Sequence, residues 1–211
     1  EKILISVHPQ EKDVWFWLIP FSDGHCSIGV VGKPEFFAQY PSEPLDQLRQ
    51  IVSQDPELRR LLSKANWPVP ARQVTGYAAR ATPLATQNFA LLGNAAEFLD
   101  PVFSSGVTIA LRSASMAVNL LDKQLRGEAA DWELDYSQPL LKGVDTFRSF
   151  VNAWYDGRFQ DIIFHHEQST DIRRMLCSIL AGYAWDENNP YVERTERRLN
   201  SLWQYCSRPT T

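Results

Sequence analysis

The chain has 211 residues, of which 44% are hydrophobic and 22% charged, and its formal net charge is −4. This composition is typical of a globular chain that is long enough to bury a sizeable core. Basic residues form no run or patch, so nucleic acid is not an expected partner. No apolar stretch approaches the ~20 residues that a membrane-spanning helix needs, and the chain opens on a strand-like segment rather than on a signal peptide.

Cysteines stand only at positions 26, 177 and 206. Their odd number and wide spacing, without a Cys-x-x-Cys pair, argue against a disulfide scaffold or a zinc site and indicate a reducing, cytoplasmic setting. The run His165-His166-Glu167 contains metal-ligating residue types. Adjacent residues do not share a helix face, so we expect no metal site there.

The N-terminal region predicts three strands. Ile3, Ile5 and Val7 alternate with other residues and indicate a half-buried strand. Residues 13–21 form an intensely apolar second strand, Ser22-Asp23-Gly24 is a hairpin signal, and residues 25–31 complete the hairpin. The pattern therefore predicts a three-stranded antiparallel meander.

The second strand is apolar on both faces. Since side chains alternate along a strand, Trp15, Trp17 and Ile19 share one face, and Phe16 and Leu18 share the other. Such a strand is either buried in a sheet that is covered on both sides or forms the wall of a pocket.

Helices and further strands follow. Residues 42–65 read as two helices, the second restarting at Asp55-Pro56 with an N-cap and a first-turn proline. Residues 74–80 and 87–92 read as strands, and the latter ends at Gly93.

Residues 93–106 combine two turns with the start of a helix. Gly93-Asn94-Ala95 follows the strand, Asp100-Pro101 ends a short apolar segment, and Ser104-Ser105-Gly106 opens a helix. The first amides of a helix have no intrahelical partner and carry partial positive charge, which suits an electron-rich or anionic ligand. The structural alternative is a strand, turn and helix in which serine only caps the helix.

The C-terminal half reads as helical. The helix over residues 105–126 is expected to bury one apolar face, formed by Val107, Ala110, Leu111, Ala114, Ala117, Val118, Leu121 and Leu125. A second stripe, with Pro139 either near its start or kinking the helix, consists of Tyr136, Leu140, Val144, Phe147, Val151 and Trp154. Further helices are predicted over 159–167, 170–184 and 190–205.

The segment from Gly93 to Val107 resembles the second flavin-binding motif of the FAD-dependent halogenase and flavoprotein monooxygenase superfamily. The family usually has Asp where this chain has Asn94; Asn keeps one acceptor oxygen but is neutral. The string from Trp15 to Pro20 resembles the Trp-x-Trp-x-Ile-Pro signature of flavin-dependent halogenases. The resemblance covers residues 1 to about 128, and Asp100–Val107 is more similar to the branch that acts on carrier-tethered substrates than to the free-tryptophan branch.

The resemblance implies specific site residues. FAD would contact Gly93, Asn94, Ala95, Asp100, Pro101, Ser104, Ser105, Gly106 and Val107. The halide, chloride or bromide, would bind the backbone at Ser105 and Gly106. The wall between flavin and substrate would consist of Trp15, Trp17, Ile19 and Pro20. Reduced flavin would come from a flavin reductase, and the substrate would be an aromatic small molecule or a group carried on a carrier protein.

The expected fold is mixed α/β, or α+β. Residues 1–80 would form an antiparallel substrate-domain sheet with a helical insertion, 81–128 the closing segment of a Rossmann-like FAD domain, and 129–211 a helical region. Gly-x-Gly-x-x-Gly is absent, and so is the region that carries the family's catalytic lysine. We therefore expect the C-terminal part of a longer enzyme, inactive without its dinucleotide-binding half, and name no catalytic residue.

The most favoured function is a flavin-dependent halogenase. A monooxygenase or prenyl-chain reductase of the same fold is the first alternative. A non-catalytic interaction domain is the second.

Overall fold

The computed structural model describes residues 2–166 and 169–207. It divides into two compact units, Glu1–Thr75 and Gly76–Thr211. Each combines helices with small antiparallel sheets, so the predicted mixed α/β class is confirmed.

The first unit contains the predicted meander. Its strands are β1 (Leu4–Val7), β2 (Trp15–Pro20) and β3 (Cys26–Val31), with β2 in the centre. Both pairs are antiparallel, and Trp17 lies opposite Ile5 on one side and Gly29 on the other.

Three helices cover one face of this sheet: α1 (Pro34–Phe37), α2 (Pro44–Val52) and α3 (Pro56–Leu61). Phe16 and the helix residues Ile51 and Leu58 belong to the buried core between them, and Leu4 packs against it. The expected inward face of β1 is therefore wrong: Ile3 and Ile5 are exposed. Period two allows either face to turn inward, and the side that receives the helices decides which one does.

The break between α2 and α3 occurs where the sequence predicts it. The Asp55 carboxylate accepts hydrogen bonds from the amides of Glu57 and Leu58 at 2.9 and 3.0 Å, so it caps α3. The same carboxylate accepts from the hydroxyl of Ser6, which ties the helix to β1.

On the other face of the sheet, the Trp17 indole lies over Gly29. A Cβ atom at Gly29 would come within 2.0–2.5 Å of three Trp17 ring atoms. The Trp17 indole N–H donates to the Ser27 hydroxyl at 3.1 Å. Glycine is therefore the residue that lets the indole lie flat against β3.

The second unit begins with short strand pairs. β4 (Ala79–Arg80) pairs with β7 (Glu97–Phe98), and β5 (Ala85–Thr86) pairs with β6 (Phe89–Ala90). The predicted strands over 74–80 and 87–92 are thus much too long. Each keeps only two paired residues because the chain turns back on itself at β5–β6 within a few residues.

The long helix α4 (Gly106–Leu125) lies where it is predicted, but Ala117 is the one residue of its predicted apolar stripe that is buried. The buried face of the helix consists of Ile109, Ser113, Ala117 and Leu120. The larger residues of the predicted stripe are each 44–78% exposed, namely Val107, Leu111, Val118, Leu121 and Leu125. The helix carries apolar residues on two sides, and the rest of this unit covers only one of them.

The remaining helices form the C-terminal part of the unit. They are α5 (Gln138–Tyr155), α6 (Arg158–Ile163), α7 (Thr170–Leu180), α8 (Pro190–Glu193) and α9 (Thr195–Cys206). The stripe predicted from Tyr136 to Trp154 is buried as expected. The helix predicted over 190–205 is divided at Arg194. Helices α6 and α7 end earlier than predicted; residue 167 lies outside the described residues.

No described helix has the length and apolar character needed to cross a membrane.

The contact between Gly29 and Trp17 can be tested by adding one methyl group. Gly29→Ala is expected to displace the indole and lower the free energy of unfolding by about 1–3 kcal/mol through overpacking. The matched control is Cys26→Ala at an exposed position of the same strand, expected within about 0.5 kcal/mol of the parent chain. Urea unfolding followed by tryptophan fluorescence measures both. Equal stabilities for the two variants would contradict the packing argument.

Candidate functional site

The turn at Gly93 is fixed on the side of α4. Gly93 has φ +52°, and a Cβ atom there would lie 3.0 Å from the Cβ and 3.3 Å from the Cα of Ala110. Its amide donates to the Ser113 hydroxyl at 2.9 Å, and that hydroxyl donates to the Ala110 carbonyl at 3.0 Å. Glycine is required here both for its backbone conformation and for the close approach of the helix.

This packing brings the two ends of the motif together. The Asn94 Oδ1 atom lies 3.5 Å from the position that a Cβ atom would occupy on Gly106. Asn94 and Ala95 are exposed, whereas Gly93 is buried. Residues 93–95 and 104–107 therefore meet at the N-terminus of α4 with the Asn94 amide group accessible.

Asp100 determines the backbone between the two turns. Its carboxylate accepts a hydrogen bond from the amide of Val102 at 3.1 Å and caps the 3₁₀ turn Pro101–Phe103. It also accepts from the Tyr77 hydroxyl at 3.0 Å. Partial burial and the neighbouring Asp100 carboxylate both raise the pKa of Tyr77, so this phenol remains a donor at neutral pH.

The start of α4 keeps its amides available. Ser104 adopts the left-handed conformation at φ 53°, and the buried Ser105 makes no side-chain capping bond. Within the described part of the chain, the amides of Gly106, Val107 and Thr108 have no hydrogen-bond acceptor. The capping role considered for serine at Ser105 is therefore wrong, and the first helical turn can offer donors to a ligand.

A buried carboxylate that the sequence analysis missed supports this segment. Glu97 on β7 is 2% exposed; its Oε2 accepts from Arg80 Nε at 2.7 Å and its Oε1 from Arg148 on α5. Asp145 also contacts both arginines and is half exposed. A glutamate within the apolar run 95–99 is the one signal that could have revealed it, because a charge is buried only when it is paired.

Phe103 joins the turn to the helices behind it. Its ring lies edge to face with Phe150, Trp154 and Phe159 at centroid distances of 6.5, 5.9 and 5.5 Å. The indole N–H of Trp154 is buried and has no acceptor among the described residues. Aromatic packing therefore anchors the residue that directly precedes Ser104.

The four residues predicted to form a pocket wall all lie on β2 in the first unit. Trp15 is buried, Trp17 and Ile19 are half-buried, and Pro20 is exposed. The ring centroids of Trp15 and Trp17 are 6.0 Å apart, and Trp17 lines a cavity of about 850 Å³ within its unit.

Metal-ligating residues do not converge in the parts of the chain that the structure describes: no group of three His, Cys, Asp or Glu side chains could hold an ion there. His165 and His166 stack on each other at 4.7 Å. Glu167, the third residue of the run considered above, lies outside the described residues. The three cysteines are free thiols.

A turn held on the N-terminus of a long helix, with free amides and an accessible amide side chain, offers hydrogen-bond donors of the kind that an anionic or electron-rich ligand requires. The profile of the tryptophan halogenase family matches residues 10–206. The chain therefore belongs to the tryptophan halogenase family, as the resemblance implied.

Individual relatives agree with this assignment. A flavin-dependent halogenase of Penicillium aethiopicum is 33% identical over 148 residues, which is 67% of this chain and 27% of that protein. A Pseudoalteromonas luteoviolacea brominase of 1H-pyrrole-2-carbonyl groups on a peptidyl-carrier protein is 26% identical, over 82% of this chain and 42% of that protein. The crystal structure of a flavoprotein/dehydrogenase from Cytophaga hutchinsonii is 40% identical with a TM-score of 0.91, covering 97% of this chain and 50% of that one. The chain thus spans half or less of these relatives.

Gly93→Ala is expected to destabilise the second unit for two reasons that can be separated. The positive φ costs about 1–2 kcal/mol for a residue with a Cβ, and the clash with Ala110 adds about 1–3 kcal/mol of overpacking. Gly127→Ala is the matched control, since Gly127 has φ +78° but nothing within 4 Å of its added Cβ. Chemical unfolding of both variants measures the difference; an equal loss would mean that the close approach to α4 contributes nothing.

Glu97→Gln is expected to lower the free energy of unfolding by about 2–3 kcal/mol, because the neutral amide leaves the charges of Arg80 and Arg148 without their buried counter-charge. This loss of unfolding free energy is smaller than the loss expected for a fully buried ion pair, because the Arg80 and Arg148 side chains remain 32% and 37% exposed. Asp145→Asn removes the half-exposed partner of the same arginines and is expected to cost less than about 1 kcal/mol. Thermal unfolding compares them; the reverse order would show that the buried carboxylate does not organise the cluster.

Proposed function

We propose that the whole protein is an FAD-dependent halogenase that uses reduced FAD, O₂ and chloride or bromide. The observation that carries the proposal is the meeting of Asn94 with Gly106 at the N-terminus of α4, in a chain of the tryptophan halogenase family. No observation favours a monooxygenase, a prenyl-chain reductase or a non-catalytic interaction domain.

The residues at this turn fit a flavin. The Asn94 side chain offers an oxygen acceptor and an NH₂ donor to hydroxyl groups of the ribityl chain, and Gly93, Ala95, Asp100 and Pro101 hold the backbone on which it stands. Ser104, Ser105, Gly106 and Val107 lie at the edge where the free amides favour the pyrimidine end of the ring. When bound, reduced flavin and O₂ supply the oxidising power for halide oxidation.

We further propose that the halide binds the backbone at Ser105 and Gly106. The lack of a side chain on Gly106 leaves space at the first turn, and the burial of Ser105 limits the access of water on one side. A helix N-terminus with unpaired amides stabilises an anion without a charged side chain.

Trp15, Trp17, Ile19 and Pro20 are proposed as the wall that separates flavin from substrate. The Trp17 indole, fixed against Gly29 and by its hydrogen bond to Ser27, provides a rigid flat surface on a central strand. Such a wall allows the oxidised halogen, but not the flavin itself, to reach the substrate.

The exposed stripe of α4 is proposed to pack against the dinucleotide-binding half of the protein. Val107, Leu111, Val118 and Leu125 recur at helical spacing and would bury considerable apolar area if a neighbouring layer covered them. In this arrangement the helix that presents the free amides would lie between the two halves.

The substrate is proposed to be an aromatic small molecule or an aromatic group on a carrier protein, and a flavin reductase is the proposed source of reduced flavin. The carrier-bound pyrrole substrate in the name of the Pseudoalteromonas luteoviolacea brominase supports this substrate class.

The test uses the whole protein with reduced FAD, O₂ and an aromatic substrate, with and without bromide. We expect bound FAD and brominated product formed only when bromide is present. Oxygenated or dehydrogenated product that is independent of halide would contradict the proposal, and a colourless protein that releases no FAD would exclude every flavoenzyme.

Gly106→Ala distinguishes a loss of halide binding from a loss of stability in the same assay. An added Cβ makes only ordinary contact with Asn94 at 3.5 Å, and alanine within a helix is more favourable than glycine by about 0.5–1 kcal/mol, so stability should be kept or raised. Halide-dependent product should fall at least about tenfold, because losing about 1.4 kcal/mol of binding corresponds to tenfold. Ser115→Ala, at an exposed position of the same helix, is the control and should leave both quantities unchanged. Unaltered turnover in Gly106→Ala would place the halide elsewhere.

A further inference from the structure

The second unit contains a cavity of about 790 Å³ that the proposed flavin site does not use. Its walls come from α6, α7 and α9, together with Phe103. The aliphatic and aromatic lining residues are Phe103, Phe159, Ile162, Ile163, Ile172, Leu176, Leu180, Leu202 and Tyr205. This volume lies within the range of small-molecule sites.

The described lining of the cavity carries positive charge only. Arg173 is the single charged residue among the described lining residues, which therefore include no carboxylate. Arg173 is exposed and lies one helical turn before Cys177 on α7, so both stand at the open side. A guanidinium at the mouth of an apolar cavity favours a ligand with an apolar body and one anionic end.

Cys206 on α9 also lines the cavity and is half-buried. Desolvation by burial and the nearby Asp161 carboxylate raise the pKa of its thiol. The thiol therefore stays protonated at neutral pH and behaves as a small apolar group. Among the described lining residues, the Tyr205 and Ser169 hydroxyls can donate hydrogen bonds, but only Arg173 offers a positive charge to an anionic group.

Phe103 belongs to both the cavity and the turn. Its ring lines the cavity beside Phe159, and its backbone ends the 3₁₀ turn directly before Ser104. Aromatic edges on Phe103, Phe159 and Tyr205 suit a flat ring better than a flexible chain. Phe103 is therefore shared by the cavity lining and by the segment that leads into α4.

We propose that this cavity binds an aromatic carboxylate, with the ring between Phe103 and Leu176 and the carboxylate at Arg173. That the ligand is the substrate of the halogenation reaction rests on the proposed function. Binding itself does not, because it requires neither flavin nor halide.

Cysteine footprinting tests the location. The purified protein is alkylated with iodoacetamide at increasing concentrations of 2-naphthoate, and modification of each cysteine is followed by mass spectrometry. Cys177 lines the cavity and is exposed, whereas Cys26, which is also exposed, lines the cavity of the first unit and reports whether naphthoate binds there instead. We expect saturable protection of Cys177 by at least about fivefold, since reaction follows access to the thiol, and an unchanged rate at Cys26.

Two neighbouring arginines test the orientation. Arg173→Gln should weaken 2-naphthoate binding by about two- to fivefold, as expected for a lost charged contact at an exposed site, but leave the affinity for neutral 2-naphthamide unchanged. Arg174→Gln removes the same charge from an adjacent exposed residue that does not line the cavity. It should change neither affinity.

Equal rates at Cys177 with and without naphthoate, or equal losses in the two arginine variants, would overturn the proposal. Both assays are run without flavin or halide. Their failure would therefore leave the halogenation test unaffected, and a failed halogenation test would leave the binding result intact.

Discussion

The candidate site depends on one close contact, the approach of the Gly93 backbone to the side of α4. Without a side chain at this position, the turn lies against Ala110, and its amide is held by Ser113. Asn94 is thereby placed beside Gly106, although twelve positions separate them in the sequence. The first amides of α4 and a polar side chain can then act on the same ligand. A site built this way is rigid because its parts are held by a helix and a turn rather than by long side chains.

Both units use glycine to let an indole lie flat on backbone. Trp17 covers Gly29 in the first unit, and Trp185 covers Gly143 on α5 in the second. The Trp185 indole N–H donates to the Pro139 carbonyl at 3.0 Å, and Arg112 of α4 stacks on its ring at 5.6 Å. Tryptophan thus links α4 to α5 behind the candidate site and combines a large packed area with a satisfied N–H group. The glycines are best explained by this packing, since neither has a positive φ.

The Glu97 cluster explains how very short strands can carry a functional turn. β4 and β7 pair over two residues each, which gives little stability by itself. Glu97 on β7 is held by Arg80 on β4 and by Arg148 on α5, so charge-assisted bonds connect the two strands to α5. Within the segment from Gly93 to Val107, the part around Glu97 is therefore positioned by electrostatics, and the part that leads into α4 by the aromatic packing of Phe103.

The sequence by itself determined the family, the meander of β1 to β3, the cap at Asp55, the start of α4 and the buried stripe from Tyr136 to Trp154. The family follows from the resemblance of the two motifs, Trp15–Pro20 and Gly93–Val107, and the other features follow from local signals: alternation, a capping residue, or apolar residues at helical spacing. Only the tertiary structure decided which faces of β1 and α4 turn inward, how short the strands near Gly93 are, and that Glu97 is buried between two arginines. Periodicity defines two faces but not the one that finds a partner, and a salt bridge between residues 51 positions apart leaves no local signal in the sequence.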